Sequence, residues 1–260
     1  MSQPHRPRKR FSQNFLVDRT IIAEIVAAVS PQRDDTIAEI GPGLGALTRP
    51  LAAAVRKLHV IEIDRDIVAR LRGEFSPEHV VIHAGDALEF DFAALGAGLR
   101  VVGNLPYHIS TPLLFHLADN ATGLRDIHVM LQKEVVERMV APASSSDYGR
   151  LSVMLQYRFE MEKLIEVPPE AFRPPPNVDS AVVRMVPLPA NALRARDERM
   201  LAETVAAAFS QRRKTLRNTL GRIVPPEELD ALGIDSQRRP QTLSVEEFVT
   251  IADYRASRMP

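Results

Sequence analysis

The sequence of 260 residues contains no cysteine, which excludes disulfides, thiolate metal sites and cysteine nucleophiles. It also lacks any run of about 18 apolar residues that could span a bilayer. The basic start, RPRKRFSQNFLVD, has no apolar stretch of the kind found in a signal peptide. Six of the seven histidines are scattered without metal-ligand spacing, so no metal site is predicted. These absences favour a cytoplasmic protein that has no contact with a membrane.

An excess of charge of one sign is lacking too, since 33 basic residues balance 33 acidic residues. This balance argues against a protein that coats nucleic acid with its whole surface, but net charge conceals local asymmetry. Residues 6–10 read Arg-Pro-Arg-Lys-Arg, and the stretch Thr204–Pro226 contains five basic residues and no acidic residue. The sequence therefore predicts two local basic patches on a balanced protein.

Strand-like and helical patterns alternate from about residue 20 to residue 130. Such alternation predicts an α/β fold whose strands pair in parallel through right-handed crossovers, and the continuous apolar runs are typical of strands buried on both faces. The predicted strands are Thr36–Ile40, Leu58–Ile63, Val80–His83, Arg100–Val102 and Ile127–Leu131, and the predicted helices are Ile21–Val29, Leu47–Val55 and Asp66–Phe75.

The pattern changes after residue 131. A helix at Lys133–Val140 and a loop, APASSSDYG, precede two late strands, Leu164–Val167 and Val178–Val186, which flank the proline-rich segment AFRPPPNVDS. A linker at Pro187–Ala190 then leads to four predicted helices, which span 197–210, 211–222, 226–232 and 244–256. We therefore predict a main domain over residues 1–190 and a small helical domain over residues 191–260.

A glycine turn follows the first strand of the predicted sheet, in the sequence AEIGPGLGAL. Glycines here let the backbone turn tightly and approach a ligand without an intervening Cβ atom. Glu62 ends the next strand, where its carboxylate can accept hydrogen bonds from ribose hydroxyls, and Asp86 follows the third strand. Because ligands bind beyond the carboxyl ends of such strands, these groups indicate a nucleoside-containing cofactor.

Two cofactors compete for this pattern. The glycine turn also satisfies a loose GxGxxA fingerprint, which is typical of dinucleotide sites. Glu39, just before the turn, would repel a diphosphate and would favour the cationic amino-acid end of S-adenosylmethionine. The combination with Glu62 and Asp86 favours S-adenosylmethionine over a dinucleotide.

The fourth strand leads into Asn104-Leu105-Pro106-Tyr107. The side-chain oxygen of Asn104 and the carbonyl of Leu105 can accept the two N–H bonds of an adenine amine, which directs the nitrogen lone pair toward a methyl donor. Pro106 stiffens the loop, and Tyr107 offers a ring on which the base can stack. The sequence thus predicts catalysis by positioning and electrostatics, with adenine as the acceptor.

With these motifs the chain resembles the KsgA (RsmA) family of ribosomal RNA adenine dimethyltransferases. The resemblance covers about residues 8–222 and is carried by RKRFSQNFL, AEIGPGLGALT, VIEID, GDA, GNLPYHISTPLLFHL, MLQKEVVERM, YGRLSVMLQY, EVPPEAFRPPPNVDSAVVR and FSQRRKTLRNTLG. It implies a Rossmann-like S-adenosylmethionine-dependent methyltransferase domain with a small helical C-terminal domain. It also implies N6,N6-dimethylation of two neighbouring adenosines in small-subunit (16S) ribosomal RNA during ribosome biogenesis.

The resemblance assigns roles to individual residues. It implies that Phe172 stacks on the target base opposite Tyr107. It implies cofactor binding by Gln13, Asn14, Leu16, Gly41, Gly43, Glu62, Ile63, Asp86, Ala87 and Asn104, with Asp86 holding the cofactor's adenine amine. Phosphate contacts are expected from Arg8, Lys9, Arg10, Arg212, Arg213, Lys214 and Arg217. The expected partner of the chain, which we expect to be a monomer, is the small ribosomal subunit precursor with its RNA. One departure from the family is His108, which stands where the family usually has asparagine.

Several other functions share parts of this pattern. A methyltransferase of large-subunit RNA that confers antibiotic resistance is one, and FRPPPNVDS and FSQRRKTLRN favour the small-subunit type. Glutamine and DNA-adenine methyltransferases more usually carry Asn-Pro-Pro-Tyr. A non-catalytic assembly or transcription factor is another alternative, against which the intact Asn104, Tyr107 and Glu62 argue. An NAD-dependent dehydrogenase would need a proton-transfer constellation, which the second half of the chain does not offer.

Overall fold

The computed structural model describes residues 14–192, 194–211 and 213–258. The described residues form two compact units. The first unit takes in the described residues through Val136 together with Met161–Pro187, and the second takes in Glu137–Glu160 and the described residues from Leu188 onward. The sequence predicts a single boundary at residue 190, whereas in the structure residues 137–160 also belong to the second unit.

The first unit is built on a seven-stranded sheet. Its strands are β2 (Ile37–Ile40), β3 (Leu58–Glu62), β4 (Val80–Ala84), β5 (Leu99–Asn104), β6 (Leu124–Gln132), β7 (Phe159–Val167) and β9 (Ser180–Pro187). The strand order is β4-β3-β2-β5-β6-β9-β7. Strands β2 to β6 pair in parallel, and β9 runs antiparallel to β6. This arrangement agrees with the predicted α/β sheet.

Helix α1 (Arg19–Val29) precedes β2, helices α2 (Thr48–Ala54), α3 (Arg65–Glu74) and α4 (Ser110–Asp119) lie between successive strands along the chain, and α5 (Lys133–Val140) follows β6. Helix α1 begins where the Asp18 carboxylate accepts hydrogen bonds from the first backbone N–H groups, and it buries Ile25 and Val29. All four residues of β2 are buried, as expected for a central strand covered on both faces.

A short second sheet pairs β1 (Phe15–Leu16) with β8 (Phe172–Arg173) in antiparallel register. Two further bonds, from the N–H groups of Val17 and Asp18 to the Ala171 carbonyl, continue this attachment. The sequence does not predict either strand, because two-residue strands carry no periodic pattern. The pairing fastens the N-terminal segment to the proline-rich segment.

A buried ion network lies at the amino ends of β5 and β6. Arg100 bonds to both oxygens of Asp126 at 2.8 Å and to Asp35 at 2.7 Å. Its guanidinium also donates to the Val29 carbonyl at the end of α1, at 2.6 Å. The side chains of Arg100, Asp35 and Asp126 are at most 8% exposed. This network therefore ties helix α1 to the base of the sheet.

The second unit is helical. It contains α6 (Arg150–Gln156), α7 (Glu198–Ala208), α8 (Leu216–Thr219), α9 (Pro226–Ala231) and α10 (Val245–Arg258). Its core includes Leu201, Leu216 and Leu220 together with Phe248 and Ile251. No helix among the described residues is long and apolar enough to cross a membrane.

The predicted helix over 211–222 is wrong, because among the described residues of this stretch only Leu216–Thr219 form an α-helix. Helix α7 ends where the Ser210 hydroxyl bonds to the Ala207 carbonyl, and Thr215 has an extended backbone. Hydroxyl groups that bond to nearby backbone compete with helix propagation in this way. Helix α6 and the first half of β7 are absent from the sequence prediction.

Candidate active site

A cavity of about 220 Å³ lies at the carboxyl ends of the parallel strands. The segment before α1, the loops after β2, β3 and β4, and the loop after β5 all contribute to its lining. Twelve residues that the sequence predicts as cofactor-binding or catalytic line it together: Asn14, Leu16, Gly41, Gly43, Glu62, Ile63, Asp86, Ala87, Asn104, Leu105, Pro106 and Tyr107. Parallel pairing brings together the residues that follow β2, β3, β4 and β5, because it places those strand ends at one edge of the sheet. Asn14 and Leu16 reach the cavity from the segment before α1.

The glycine turn after β2 depends on positive φ angles. Gly41 has φ +66° and Gly43 has φ +54°, which residues with a Cβ atom rarely adopt. A Cβ atom on Gly43 would lie 3.0 Å from the Phe15 ring, so the N-terminal segment closes directly onto the turn. The turn is thereby held as one wall of the cavity.

Two buried carboxyl groups face the cavity from β2 and β3. Glu39 is 1% exposed and Glu62 is 7% exposed. Burial raises the pKa of Glu39 to about 8, and burial also raises the pKa of Glu62 above its usual value. The Oε2 atom of Glu39 has no hydrogen-bond partner among the described residues. Such a group favours a cationic ligand, which would offset the cost of burying the carboxylate.

The acidic side chains at the ends of β3 and β4 are fixed by their own loops. Glu62 accepts a hydrogen bond from the Asp64 N–H at 2.7 Å, and Asp86 accepts one from the Leu88 N–H at 2.9 Å. These bonds hold the carboxylates at the edge of the cavity. Ile63, at 50% exposure, and Ala87 lie beside them and offer an apolar contact to a ligand.

The orientation of the Asn104 amide is fixed by the N-terminal segment. Its Nδ2 atom donates to the Asn14 backbone carbonyl at 3.1 Å. Because a carbonyl oxygen can only accept, the amide must present its NH₂ group to Asn14, which leaves Oδ1 as the acceptor for a ligand. The sequence shows both residues but does not show this bond, which joins positions 90 apart.

The rest of the loop after β5 is also held in place. Leu105 donates its N–H to the Met130 carbonyl at 3.1 Å, and the Pro106 carbonyl accepts from Ser110 Oγ at 3.2 Å. The hydroxyl groups of Tyr107 and Ser180 lie 2.7 Å apart. His108 also lines the cavity and its side chain is exposed.

Phe172 does not occupy the place that the resemblance implies. Its side chain is fully buried in the core with Phe15 and Leu16, and it is not among the residues that line the cavity. In this structure the Phe172 ring packs in the core, and its stacking on the target base stays a prediction. The pairing of β8 with β1 turns Phe172 into the core.

Several residues that line the cavity are not predicted from the sequence. Phe15, Leu44, Ala46, Leu47 and Ile67 contribute apolar surface to the cavity. Apolar residues at a turn and on the first turns of helices are indistinguishable from core residues by periodicity alone. The SQNFL motif contains Phe15 and is the one signal that points to it.

The predicted basic contacts lie in the second unit and at the start of the chain. Arg213, Lys214 and Arg217 are exposed, and no salt bridge to them is found within the described ranges. Leu216 and Leu220 beside them are buried, so α8 turns the side chain of Arg217, its one charged residue, to solvent. Arg8, Lys9, Arg10, Gln13 and Arg212 lie outside the described residues.

The chain is similar to known proteins over nearly its full length. Residues 4–257 match the family described as ribosomal RNA adenine dimethylase. A protein of Nitrosospira multiformis named ribosomal RNA small subunit methyltransferase A is 62% identical over 96% of each chain.

Among solved structures, a dimethyladenosine transferase from Plasmodium falciparum has a TM-score of 0.79 at 25% identity, covering 91% of this chain and 95% of its own. The 23S rRNA methyltransferase ErmE has a TM-score of 0.69 at 28% identity, covering 94% of this chain and all of its own. These similarities confirm the predicted methyltransferase fold.

Proposed function

The chain belongs to the ribosomal RNA adenine dimethylase family, and we propose that it dimethylates two adjacent adenosines of small-subunit (16S) ribosomal RNA at N6 during ribosome biogenesis. The observation that carries this proposal is the Asn104 amide, fixed by Asn14 in the same cavity as Glu62. The relative named for the small subunit is 62% identical, whereas the 23S enzyme is 28% identical. This difference supports the small-subunit substrate.

The cofactor is S-adenosylmethionine, which supplies an electrophilic methyl group on a sulfonium when bound. The cavity residues fit it, because a cationic group beside the buried carboxyl groups of Glu39 and Glu62 would favour their charged form, which burial alone disfavours. In our proposal Glu62 holds the ribose and Asp86 the adenine amine, with Ile63 and Ala87 against the adenine ring. The methionine end is bound by Asn14, Leu16, Gly41 and Gly43, and the proposal extends this role to Gln13, which lies outside the described residues.

The target amine is activated by acceptors rather than by a base. In the first of the two transfers, Asn104 Oδ1 and the Leu105 carbonyl each accept one N–H of the adenine amine, which turns its lone pair toward the methyl donor. Each methyl group replaces one N–H proton, which is lost to solvent, so the monomethylated amine keeps one N–H for these acceptors in the second transfer. Pro106 and the bonds of this loop fix both acceptors before the base arrives. Tyr107 stacks on the base, which must leave its own stack to enter the cavity.

The basic patch of the second unit binds RNA phosphates in this proposal. Arg213, Lys214 and Arg217 are exposed in a stretch without acidic residues, and Arg212, Arg8, Lys9 and Arg10 extend the set. Neutralising Arg213, Lys214 and Arg217 together should weaken RNA binding and reduce the salt slope by roughly two to three. Filter binding between 50 and 200 mM salt measures this slope, and an unchanged slope would mean that these side chains do not contact RNA.

We further infer a monomer that acts in the cytoplasm on the small-subunit precursor, with residues 191–260 as the RNA-contacting domain.

The proposal is tested by transfer of labelled methyl groups to unmethylated small ribosomal subunits, followed by nucleoside analysis. Asn104→Ala should lower the rate on the order of 100-fold or more, because one fixed acceptor of the transition state is lost. Asn120→Ala is the matched control, since its amide also donates to a backbone carbonyl, that of His116, but lies outside the cavity lining.

Near-normal turnover by Asn104→Ala would reject the activating role. A protein that binds subunits but forms no dimethyladenosine would instead be a non-catalytic assembly factor.

A further inference from the structure

The hydroxyl groups of Ser180 and Tyr107 lie 2.7 Å apart, although the residues are 73 positions apart in the chain. Tyr107 follows β5 and lines the cavity. Ser180 begins β9, opposite Gln132 in β6, and is fully buried. The bond therefore joins the NLPY segment to the last residue of FRPPPNVDS.

Ser180 is a rigid anchor for this bond. Its backbone is held in the sheet, and the preceding Asp179 carbonyl accepts from the Lys133 N–H at 2.9 Å. Burial raises the pKa of the Tyr107 phenol, which keeps it neutral and able to donate or accept. A tyrosine held at its Cα atom and at its hydroxyl has little freedom left in either side-chain torsion. The bond thus fixes the plane of the ring that faces the cavity.

Resting on the proposed function, in which Tyr107 stacks on the target adenine, we propose that Ser180 is a positioning residue that sets the angle of this stack. This gives the FRPPPNVDS segment a role in base recognition through Ser180, while Phe172 packs in the core. Ser180 itself does not touch the substrate. Its removal should therefore affect the rate of methyl transfer more than the affinity for RNA, which depends mainly on phosphate contacts.

The test is a double-mutant cycle of Ser180→Ala and Tyr107→Phe, measured in single-turnover methyl transfer and in thermal unfolding. Ser180→Ala should lower the single-turnover rate on the order of 3- to 10-fold, with KM for RNA within about twofold. In the Tyr107→Phe background the same substitution should have no further effect on the rate, because the bond is already gone. Ser152→Ala is the matched control: Ser152 is also fully buried and bonds to a carbonyl, that of Arg138, outside the cavity lining.

An equal rate loss from Ser180→Ala with and without the Tyr107 hydroxyl would overturn the proposal, as would a loss no greater than that of Ser152→Ala. Coupling in the unfolding cycle without coupling in the rate would also overturn it, since the bond would then serve stability alone. Failure of the proposed function is seen separately, because the unaltered protein would then transfer no methyl group before any variant is made.

Discussion

Replacing Arg100 by methionine should destabilise the protein strongly. The substitution keeps an apolar stem but removes the donors that hold Asp126, Asp35 and the Val29 carbonyl. Asp126 would then be a buried carboxylate with its main partner lost, and breaking a buried ion pair in this way costs about 3–5 kcal/mol. Because a typical domain is stable by only about 5–15 kcal/mol, the loss is a large fraction of the total.

Urea unfolding followed by far-UV circular dichroism measures this loss. The double variant Arg100→Met/Asp126→Leu should recover at least about 2 kcal/mol, because it removes the stranded charge, and Asp35 keeps its bond to Arg125 at 2.9 Å. The control is Arg56→Met, which removes an exposed pair with Asp34 and should cost about 0.5 kcal/mol or less. Similar losses for Arg100→Met and Arg56→Met, or no recovery in the double variant, would refute this reasoning.

Two further predictions concern the sheet. Gly103→Ala places a Cβ atom 2.5 Å from the Ile40 carbonyl oxygen, so it should lower the free energy of unfolding by about 1–3 kcal/mol and slow methyl transfer by shifting Asn104. The control is Gly73→Ala in α3, whose added Cβ atom meets no neighbouring atom within 4 Å and should raise the free energy of unfolding by about 0.5–1 kcal/mol. Equal urea midpoints for the two variants would contradict this. Burial lowers the pKa of His128 from 6.5 to about 4 in the folded protein. Between these two pH values the imidazole is protonated in the unfolded chain but not in the folded one, so the free energy of unfolding should fall by up to about 3 kcal/mol as the pH drops from 6.5 to 4. His128→Leu should lose less stability than the unaltered protein between pH 7 and pH 4.5, with the exposed His108→Leu as control, and parallel pH curves would argue against this linkage.

The sequence predicts the cofactor half of the site well because its signals are local. A glycine turn after an apolar run, and carboxylates at the ends of later runs, can each be recognised within about ten residues. Parallel pairing through crossovers then requires the strand ends to meet at one edge of the sheet. Gly41, Gly43, Glu62 and Asp86 accordingly line one cavity, as the pattern indicates.

Local patterns fail where the backbone departs from regular structure. The stretch 211–222 has helical periodicity, yet only four of its described residues are α-helical, since the backbone of Thr215 is extended. Phe172 shows the same limit in another way, because an aromatic residue in a proline-rich segment fits both a base-stacking role and a core role. Its full burial follows from a two-residue strand pairing with Phe15 and Leu16, which no periodicity reveals.

The sequence by itself determined the five parallel strands, the glycine turn, the acidic strand ends and the Asn104–Tyr107 loop. Only the tertiary structure decided that Asn14 orients Asn104, that Ser180 holds Tyr107 and that Arg100 joins α1 to the sheet. These bonds link positions 71 to 90 apart. Hydrophobic periodicity records which face of an element is buried, but it does not record which polar groups meet once the elements pack. That choice depends on register and loop geometry, which are fixed only when the chain has folded.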